Sequence, residues 1–454
     1  MTVSRRGALM LGAGWALAGP LAAAEARPFE GEALAWVRAN AHALPADPAI
    51  GDLKPLVQAL DGARIIGIGE ATHGTHEDFA LKCQLIKALV SFGGVRCVAL
   101  EANLSAGLAL DGYVSGGTGD ITDLLRTSGF FQNWQSEEFG ALFMWLRGWN
   151  LAGKDPVRIV AIDCQASPQD AWHALEWLAA ADPAAAELLK ARLAPLTTPQ
   201  NRKSRLLEVL QAMTAAERDR QIAALDALKA AIARHTGKPG QPLALHAAEA
   251  ARQGLLVFEH DVKDAPKEEP PPSYWARRDR YMADNLIVLA GEGRAVLHAH
   301  NNHVLPIAYE DKADSEGSQG LYLRRHLAAG YRTVGFEYDR GLIHAKLEKK
   351  GQPVPGRDQP WIVAARPSLP EGLGGFFART GLDRFWLDLR PPASTPALRA
   401  WRKHPYFHDW PGFTVRESTE LQEWERLPIE DVFDLLVFFR TVSPSRFYDY
   451  VAQS

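Results

Sequence analysis

The sequence is poor in cysteine and has no excess of charge of either sign. Its three cysteines are too few for a disulfide framework or a cysteine-rich zinc site. Lysine and arginine number 50 against 54 acidic residues, so there is no general basic field to hold a nucleic-acid backbone. Hydrophobic residues make up 47% of the 454 residues, an ordinary globular value that excludes wholesale disorder. We therefore expect a soluble globular protein with no nucleic-acid partner.

The common catalytic signatures are also absent. The chain has no Gly-x-x-x-x-Gly-Lys-Ser/Thr phosphate loop, no clear Gly-x-Gly-x-x-Gly after a strand and no His-Glu-x-x-His. The nearest match to a serine-hydrolase elbow surrounds Ser105, but Asn103 stands where that motif needs glycine. Ser105 is therefore a weak candidate for a nucleophile.

The first residues have the features of an export signal. Arg5 and Arg6 precede an apolar run over 8–21, and small residues with an Ala-x-Ala pattern follow. Paired arginines after a serine favour the twin-arginine route, and the apolar run is short for a membrane span. We predict a signal peptide over 1–26, a periplasmic mature protein without a stable membrane anchor, and a monomer.

Short β-rich runs alternate with longer helical patterns in the remaining chain. This alternation predicts an α/β fold with a mainly parallel central sheet flanked by helices. The expected strands are 63–69, 96–100, 158–162, 295–299 and 333–336, with possible edge strands at 361–365 and 385–389.

A helical insertion is expected to divide this core. Alanine, leucine and long charged residues dominate 168–260, with helical spacing and no strand signal. We interpret this segment as a hairpin or bundle that forms a lid over the cleft. The two parts of the α/β core are then 27–167 and 261–454.

Polar side chains follow the first four predicted strands. They are Glu70, Glu101, Asp163 and His300. In an open α/β sheet the carboxyl ends of parallel strands line one crevice, where ligands bind. We therefore predict that these residues share one pocket.

The loop after the first strand is the densest of these signals. Glycines at 67, 69 and 74 favour close packing and positive φ. Glu70 and His73 lie three residues apart, and a carboxylate beside an imidazole fixes its tautomer and raises its basicity. His76 is expected to face solvent.

A second dense signal is the set of histidines at 298, 300 and 303. Imidazole is the commonest nitrogen ligand of metals. Together with Glu101 and the first loop, these histidines leave a carboxylate–imidazole metal site open as an alternative.

Three of these segments together resemble the erythromycin esterase family. They are Gly-Glu-Ala-Thr-His-Gly-Thr at 69–75, Ala-Leu-Glu-Ala at 99–102 and His-Asn-Asn-His at 300–303. Further matches, in the family's order, are Trp134 with Glu137-Glu138, Asp163 with Gln165, Arg278-Asp279 with Met282-Ala283-x-Asn285, and Gly335-Phe336-Glu337. The resemblance covers roughly residues 30 to 440.

The resemblance implies hydrolysis of an ester, in known members the lactone of macrolide antibiotics, with no required metal or other cofactor. His73 would be the general base, with Glu70 and Glu101 orienting and polarising the water. His300 and His303 would complete the pocket and hold the oxyanion.

The resemblance also implies a set of binding residues. Arg278 would be the positioning cation, and Asp163 and Trp134 would also bind the substrate. Family members commonly have arginine where this chain has Lys82, and lysine keeps the charge but loses the bidentate fork.

Three functions follow from these patterns. The first is a metal-independent periplasmic esterase acting on a small-molecule ester, possibly a macrolide. The second is a metal-dependent hydrolase that uses the Glu/His cluster. The third is a non-catalytic ligand-binding protein that uses the same crevice.

Overall fold

A computed structural model describes most of the chain. The described residues are 27–165, 168–199, 209–210, 212–257, 272–309, 316–349, 359–416 and 426–448. The predicted signal peptide at 1–26 lies outside them. Among the helices of the described segments, none is both long enough and apolar enough to span a membrane.

The core is a mixed sheet with a parallel centre. Within the described residues its strands follow the order β1-β8-β12-β6-β2-β5-β3-β4, and β7 and β10 also pair with β6. The run from β12 to β4 is parallel throughout, whereas β8 is antiparallel to both β12 and β1. The strands are β1 (His42–Ala43), β2 (Ile65–Ile68), β3 (Cys97–Leu100), β4 (Arg158–Ala161), β5 (Ala295–His298), β6 (Tyr331–Glu348), β7 (Ile362–Arg366), β8 (Arg384–Asp388), β10 (Thr414–Arg416) and β12 (Leu435–Val442), with β9 (Pro405–Phe407) and β11 (Arg426–Pro428) forming a separate pair.

The register of the central strands brings their carboxyl ends level. Every residue of β2, β3 and β5 is buried, as expected for strands covered on both faces. His298 at the end of β5 is paired with Ile68 on one side and Leu100 on the other. The residues that follow these strands therefore emerge at the same edge of the sheet.

Helices cover the sheet. In the described segments they are α1 (Glu30–Asn40), α2 (Lys54–Ala59), α3 (His76–Phe92), α4 (Leu104–Val114), α5 (Ile121–Thr127), α6 (Glu137–Leu151), α7 (Gln169–Ala181), α8 (Pro183–Thr197), α9 (Ala215–Ala233), α10 (Gln241–Val257), α11 (Pro272–Ala290), α12 (Asn301–Val304), α13 (Gln319–Leu327), α14 (Leu373–Ala378), α15 (Pro396–Lys403) and α16 (Ile429–Val432). Helix α3 buries Phe79, Leu85 and Leu89, so its apolar face packs into the main core.

The described part of 168–260 forms the helices α7 to α10. These helices share a hydrophobic core of their own, which includes Leu104 of α4. The bundle is joined to the main core by polar contacts as well. Nε2 of His246 lies 3.3 Å from the carbonyl oxygen of Ala161, and the side chains of Gln253 and Asn285 exchange hydrogen bonds of 3.0 and 2.8 Å.

The structure corrects three local predictions. The eight-residue strand β12 was not predicted, although it lies inside the sheet between β6 and β8. The run at 385–389 forms β8, which is flanked on both sides and is not an edge strand. The strand predicted over 333–336 is longer than expected, because β6 runs from Tyr331 to Glu348. Arg278 lies within α11 and is only 2% exposed.

Candidate active site

The polar residues after the central strands meet at one edge of the sheet. The backbone N–H of His300 donates to Oε2 of Glu101 over 3.3 Å, and the N–H of Asn301 donates to the carbonyl of Glu70 over 3.0 Å. The imidazole rings of His73 and His300 lie 4.8 Å apart between centroids. The predicted convergence of distant chain segments is therefore present in the structure.

Two glycines are needed for this close approach. A Cβ at Gly69 would lie 2.1 Å from Oδ1 of Asn301, and one at Gly74 would lie 1.9 Å from the carbonyl oxygen of His344. Neither glycine has a positive φ, contrary to expectation. Their role is to leave room for neighbouring segments, not to provide an unusual backbone conformation.

Glu70 is the centre of the first cluster. Its Oε1 lies 2.6 Å from Nδ1 of His73 and accepts a hydrogen bond of 2.7 Å from the indole N–H of Trp134. Its Oε2 accepts one of 2.5 Å from the ammonium of Lys82. Because the carboxylate receives three donors, its position is fixed on both oxygens.

The charges of this cluster keep Glu70 ionised. Burial alone would raise the pKa of Glu70, but the charge of Lys82 and the hydrogen bond from His73 outweigh burial and hold that pKa far below its usual range. Burial lowers the pKa of Lys82, against the opposing pull of Glu70. An ionised Glu70 accepts a hydrogen bond from the N–H at Nδ1 of His73, so the lone pair of the ring lies on Nε2.

His73 is positioned to act on the cleft. Its side chain is 11% exposed, whereas that of Glu70 is fully buried. No group in the described part of the chain forms a hydrogen bond with its Nε2. The edge of Trp134 packs against the imidazole at 5.2 Å, and the backbone N–H of His73 donates to Gly412 over 3.3 Å. The ring is thus held firmly while its basic nitrogen stays available.

His300 is held in the other tautomer from His73. It caps α12, so its Nδ1 accepts from the N–H of Asn302 over 3.2 Å. Its Nε2 lies 3.2 Å from the carbonyl oxygen of Ala71, to which it donates. Burial and the neighbouring His73 lower the pKa of His300 to about 3. His300 is therefore neutral, and both its nitrogens are bound to backbone, so in this geometry it offers no donor to an oxyanion.

Arg278 links the second cluster. Its guanidinium donates to both oxygens of Asp163, over 3.0 and 2.9 Å, and to Oε1 of Glu101 over 2.9 Å. The bidentate pair with Asp163 fixes the plane of the guanidinium. Although burial lowers the pKa of Arg278, the two carboxylates raise it well above its ordinary value.

His303 lies between two carboxylates. Its Nδ1 is 2.5 Å from Oδ1 of Asp279, and its Nε2 is 3.2 Å from Oε1 of Glu101. Tyr309 also donates to Asp279. Burial would lower the pKa of His303, but these carboxylates raise it to about 10. His303 is therefore an imidazolium, and its 3.2 Å separation from Nη1 of Arg278 is a contact of two cations beside Glu101.

The donor set does not favour a metal. Among the described residues, no group of three histidine, cysteine or acidic side chains is arranged to hold a metal ion. Glu70 and Glu101 are already bound by Lys82 and Arg278, and a protonated His303 has no lone pair to give. A metal would have to displace these cations.

Two residues that were expected to bind substrate contact a carboxylate of the site instead. Lys82 and Trp134 were expected to contact substrate, but both are fully buried and donate to Glu70. They position that carboxylate. His76, which was expected to face solvent, is partly exposed at 27% of its side chain, and its Nδ1 also lies 2.6 Å from Oε1 of Glu138.

Two functional acids were missed in the sequence. Asp279 was noted only as part of a motif, yet it holds His303. Asp78, one turn before Lys82 on α3, accepts a hydrogen bond of 2.8 Å from the N–H of Ala71. Burial raises the pKa of Asp78 to about 7. The i,i+4 spacing of Asp78 and Lys82 in a predicted helix was the available signal, since such residues share a helix face.

The fold and the site define a mixed α/β protein with a carboxylate–histidine cluster at the carboxyl edge of its sheet. The family model for erythromycin esterase matches residues 90–442, which is more than half of the chain. The chain therefore belongs to the erythromycin esterase family. The match begins after the loop that carries Glu70 and His73.

Two relatives share part of the sequence. Erythromycin esterase type II of Escherichia coli is 27% identical over 118 residues, which cover 26% of this chain and 27% of that protein. The protein named "Putative hydrolase YbfO" of Bacillus subtilis (strain 168) is 31% identical over 157 residues, or 34% of each chain. The matches thus span only about a quarter to a third of these relatives.

Solved structures share the fold over nearly the whole chain. A crystal structure of a Bacillus cereus protein gives a TM-score of 0.78 at 21% identity, covering 92% of this chain and 99% of that one. An erythromycin esterase mutant in its open conformation gives a TM-score of 0.65 at 16% identity, covering 90% and 99%. At these identities the likeness establishes the fold alone.

Proposed function

We propose that the protein hydrolyses a carboxylic ester or lactone with a water molecule activated by His73. The observation that carries this proposal is the Glu70–His73 pair. Nδ1 of His73 donates to an ionised carboxylate, while Nε2 has no partner in the described residues and the side chain is 11% exposed. An imidazole held in this tautomer removes a proton from water, a contribution of about 10²–10⁴-fold to the rate.

The second cluster supplies positive charge for the oxygen of the scissile carbonyl. His303 is protonated and has a side chain that is 12% exposed, close to the exposure of His73. Arg278 lies behind it and is held by Asp163. Fixed cations near a developing oxyanion stabilise the transition state more than the ground state. Both nitrogens of His303 are already bound to carboxylates, so it acts on the oxyanion through its positive charge and not by donating a hydrogen bond. His300 is neutral and has no charge to offer.

Attack by water, without an acyl-enzyme, is supported because no serine or cysteine of the described residues forms a hydrogen bond with His73. The hydroxyl of Ser105 donates to Gln169 over 2.6 Å, so it is directed away from a base. Cys83, Cys97 and Cys164, the three cysteines of the sequence, are buried, and burial raises the pKa of each thiol. A neutral buried thiol is a poor nucleophile.

We further propose that the substrate is a bulky apolar ester, possibly a macrolide, bound beneath the bundle α7–α10 acting as a lid. Support comes from the separate core of that bundle and its attachment to α11, which carries Arg278. We also propose that the mature protein is a monomer in the periplasm after removal of the 1–26 signal.

Product analysis tests this function. The purified protein is incubated in ¹⁸O-labelled water with 14-membered macrolides and a panel of simple aryl and alkyl esters. Mass spectrometry is expected to show gain of one water with the label in the carboxylate, unchanged by a chelator. Activity that a chelator abolishes and added metal restores would point to the metal-dependent hydrolase. Tight binding without turnover for the whole panel would point to a ligand-binding protein.

A further inference from the structure

A cavity opens at the edge of the sheet opposite the histidine clusters. Its volume is about 560 Å³, within the range of small-molecule sites. It is lined by Arg332 near the start of β6, by Leu389 and Arg390 after β8, and by residues of α15 and α16. Since β8 runs antiparallel to β12, these positions lie at the amino-terminal edge of the parallel strands.

The lining of this cavity is strongly cationic. Five of its side chains are basic and two are acidic. The basic ones are Arg332, Arg390, Arg399, Arg402 and Lys403, and the acidic ones are Glu430 and Asp434.

Three of these five cations are already paired with carboxylates. Asp434 is bound by Arg324 and, at 3.4 Å, by Arg332. Arg390 is bound to both oxygens of Asp388, a residue next to the cavity, over 2.8 and 2.6 Å. Lys403 and Glu430 face each other at 4.0 Å. The carboxylates at the cavity are therefore already paired with cations.

Arg399 and Arg402 have no carboxylate partner within the described residues. Arg399 is exposed and donates only to the carbonyl of Ala393, over 3.3 Å. Arg402 is only 4% exposed, donates from Nη1 to two backbone carbonyls, and lies over the ring of Trp36 at 5.2 Å. Its buried Nε has no partner. Glu430 and Asp388 act on Arg402 only from beyond ion-pair distance, so an anion in the cavity would supply the direct counter-charge that this buried guanidinium lacks.

We propose that this cavity binds a small anion with two negative charges, of the carboxylate or phosphate class. Two guanidiniums without carboxylates match a charge of minus two. The planar fork of Arg399 suits the paired oxygens of a carboxylate or phosphate, and Arg402 adds a second positive charge to the lining. The site is separate from the histidine clusters, so this binding function does not depend on the esterase proposal.

Isothermal titration of the purified protein with citrate, pyrophosphate and acetate tests the site. We expect saturable one-to-one binding of a dianion or higher anion with a Kd below about 1 mM, weakening with added salt, and at least tenfold weaker binding of acetate. Preference for citrate or for pyrophosphate identifies which of the two oxyanions the site takes. No saturable binding of either would overturn the proposal.

Two variants with opposite effects keep the test specific. Arg399→Gln is expected to raise the Kd about tenfold, while Glu430→Gln, which removes a negative charge from the lining, lowers it roughly threefold. Arg126→Gln, a remote and exposed control on α5, is expected to change the Kd by less than about twofold. Turnover of esters stays unchanged in all three. Equal weakening by Arg399→Gln and Glu430→Gln would show nonspecific association and refute the site.

Discussion

Lys82 provides the sharpest test of how the first cluster is built. Its ammonium is fully buried and contacts Oε2 of Glu70 at 2.5 Å, Nδ1 of His298 at 2.9 Å and the carbonyl of Ala299 at 2.9 Å. Lys82→Met keeps the length of the side chain and removes the charge. It leaves Glu70 as a buried carboxylate without its cation, which costs about 3–5 kcal/mol. Thermal unfolding, followed by the fluorescence of the 13 tryptophans, should shift down by roughly 3–5 °C near neutral pH.

The pH dependence of this loss carries a definite sign. The pKa of Glu70 is held below its ordinary value of 4.5, so in the wild type its stabilisation is present above that value and is lost as the pH falls through the depressed pKa. Without Lys82, burial raises the pKa of Glu70, and the carboxyl takes up a proton in mild acid. The difference in free energy of unfolding between the variant and the wild type should therefore become smaller as the pH falls from about 7.5 to 5.

A matched control comes from Lys229, a partly exposed lysine paired with Glu249. Lys229→Met should cost no more than about 1 kcal/mol, because exposed ion pairs contribute little. A Lys82→Met protein as stable as wild type near neutral pH, or a gap that widens in acid, would refute the assignment of Lys82 as the counter-charge of Glu70.

Three further substitutions test other contacts. Trp134→Phe keeps the ring against His73 but loses the donor to Glu70, so kcat in an ester assay should fall about three- to tenfold with little change in KM; an unchanged kcat would contradict that role. Asp279→Asn should lower the pKa of His303, about 10 in the wild type. The stabilisation by His303 is complete below its unfolded value near 6.5 and is lost as the pH rises through about 10. In the variant the decline in thermal stability should start at the same pH but be smaller and end at a lower pH. Arg278→Lys loses the bidentate fork and should reduce kcat/KM at least tenfold, and activity equal to wild type would argue against a positioning role.

The convergence at the sheet edge was predictable because it depends on local features. The short apolar runs ending at Ile68, Leu100 and His298 are typical of buried parallel strands, and their carboxyl ends must lie together once the strands are adjacent. Glu70 and His73 belong to one loop, so their pairing needs no information from distant residues.

The remaining contacts depend on tertiary packing. The run Leu435–Val442 is almost continuously apolar, and periodicity alone cannot separate such a strand from a buried helix segment. The protonation states of His300 and His303 also follow from packing. His300 is neutral because it is buried beside His73, whereas His303 is charged because α11 brings Asp279 to it. The spacing His-Asn-Asn-His does not distinguish these two outcomes.

His73→Asn is the most direct test of the central claim. The asparagine amide can replace the Nδ1 donor to Glu70, so the carboxylate keeps its partner, but no base remains at the position of Nε2. Single-turnover hydrolysis of an ester accepted by the wild type should slow by about 10²–10⁴-fold, with substrate Kd and unfolding temperature nearly unchanged. Hydrolysis at the wild-type rate by a folded His73→Asn protein would contradict the account.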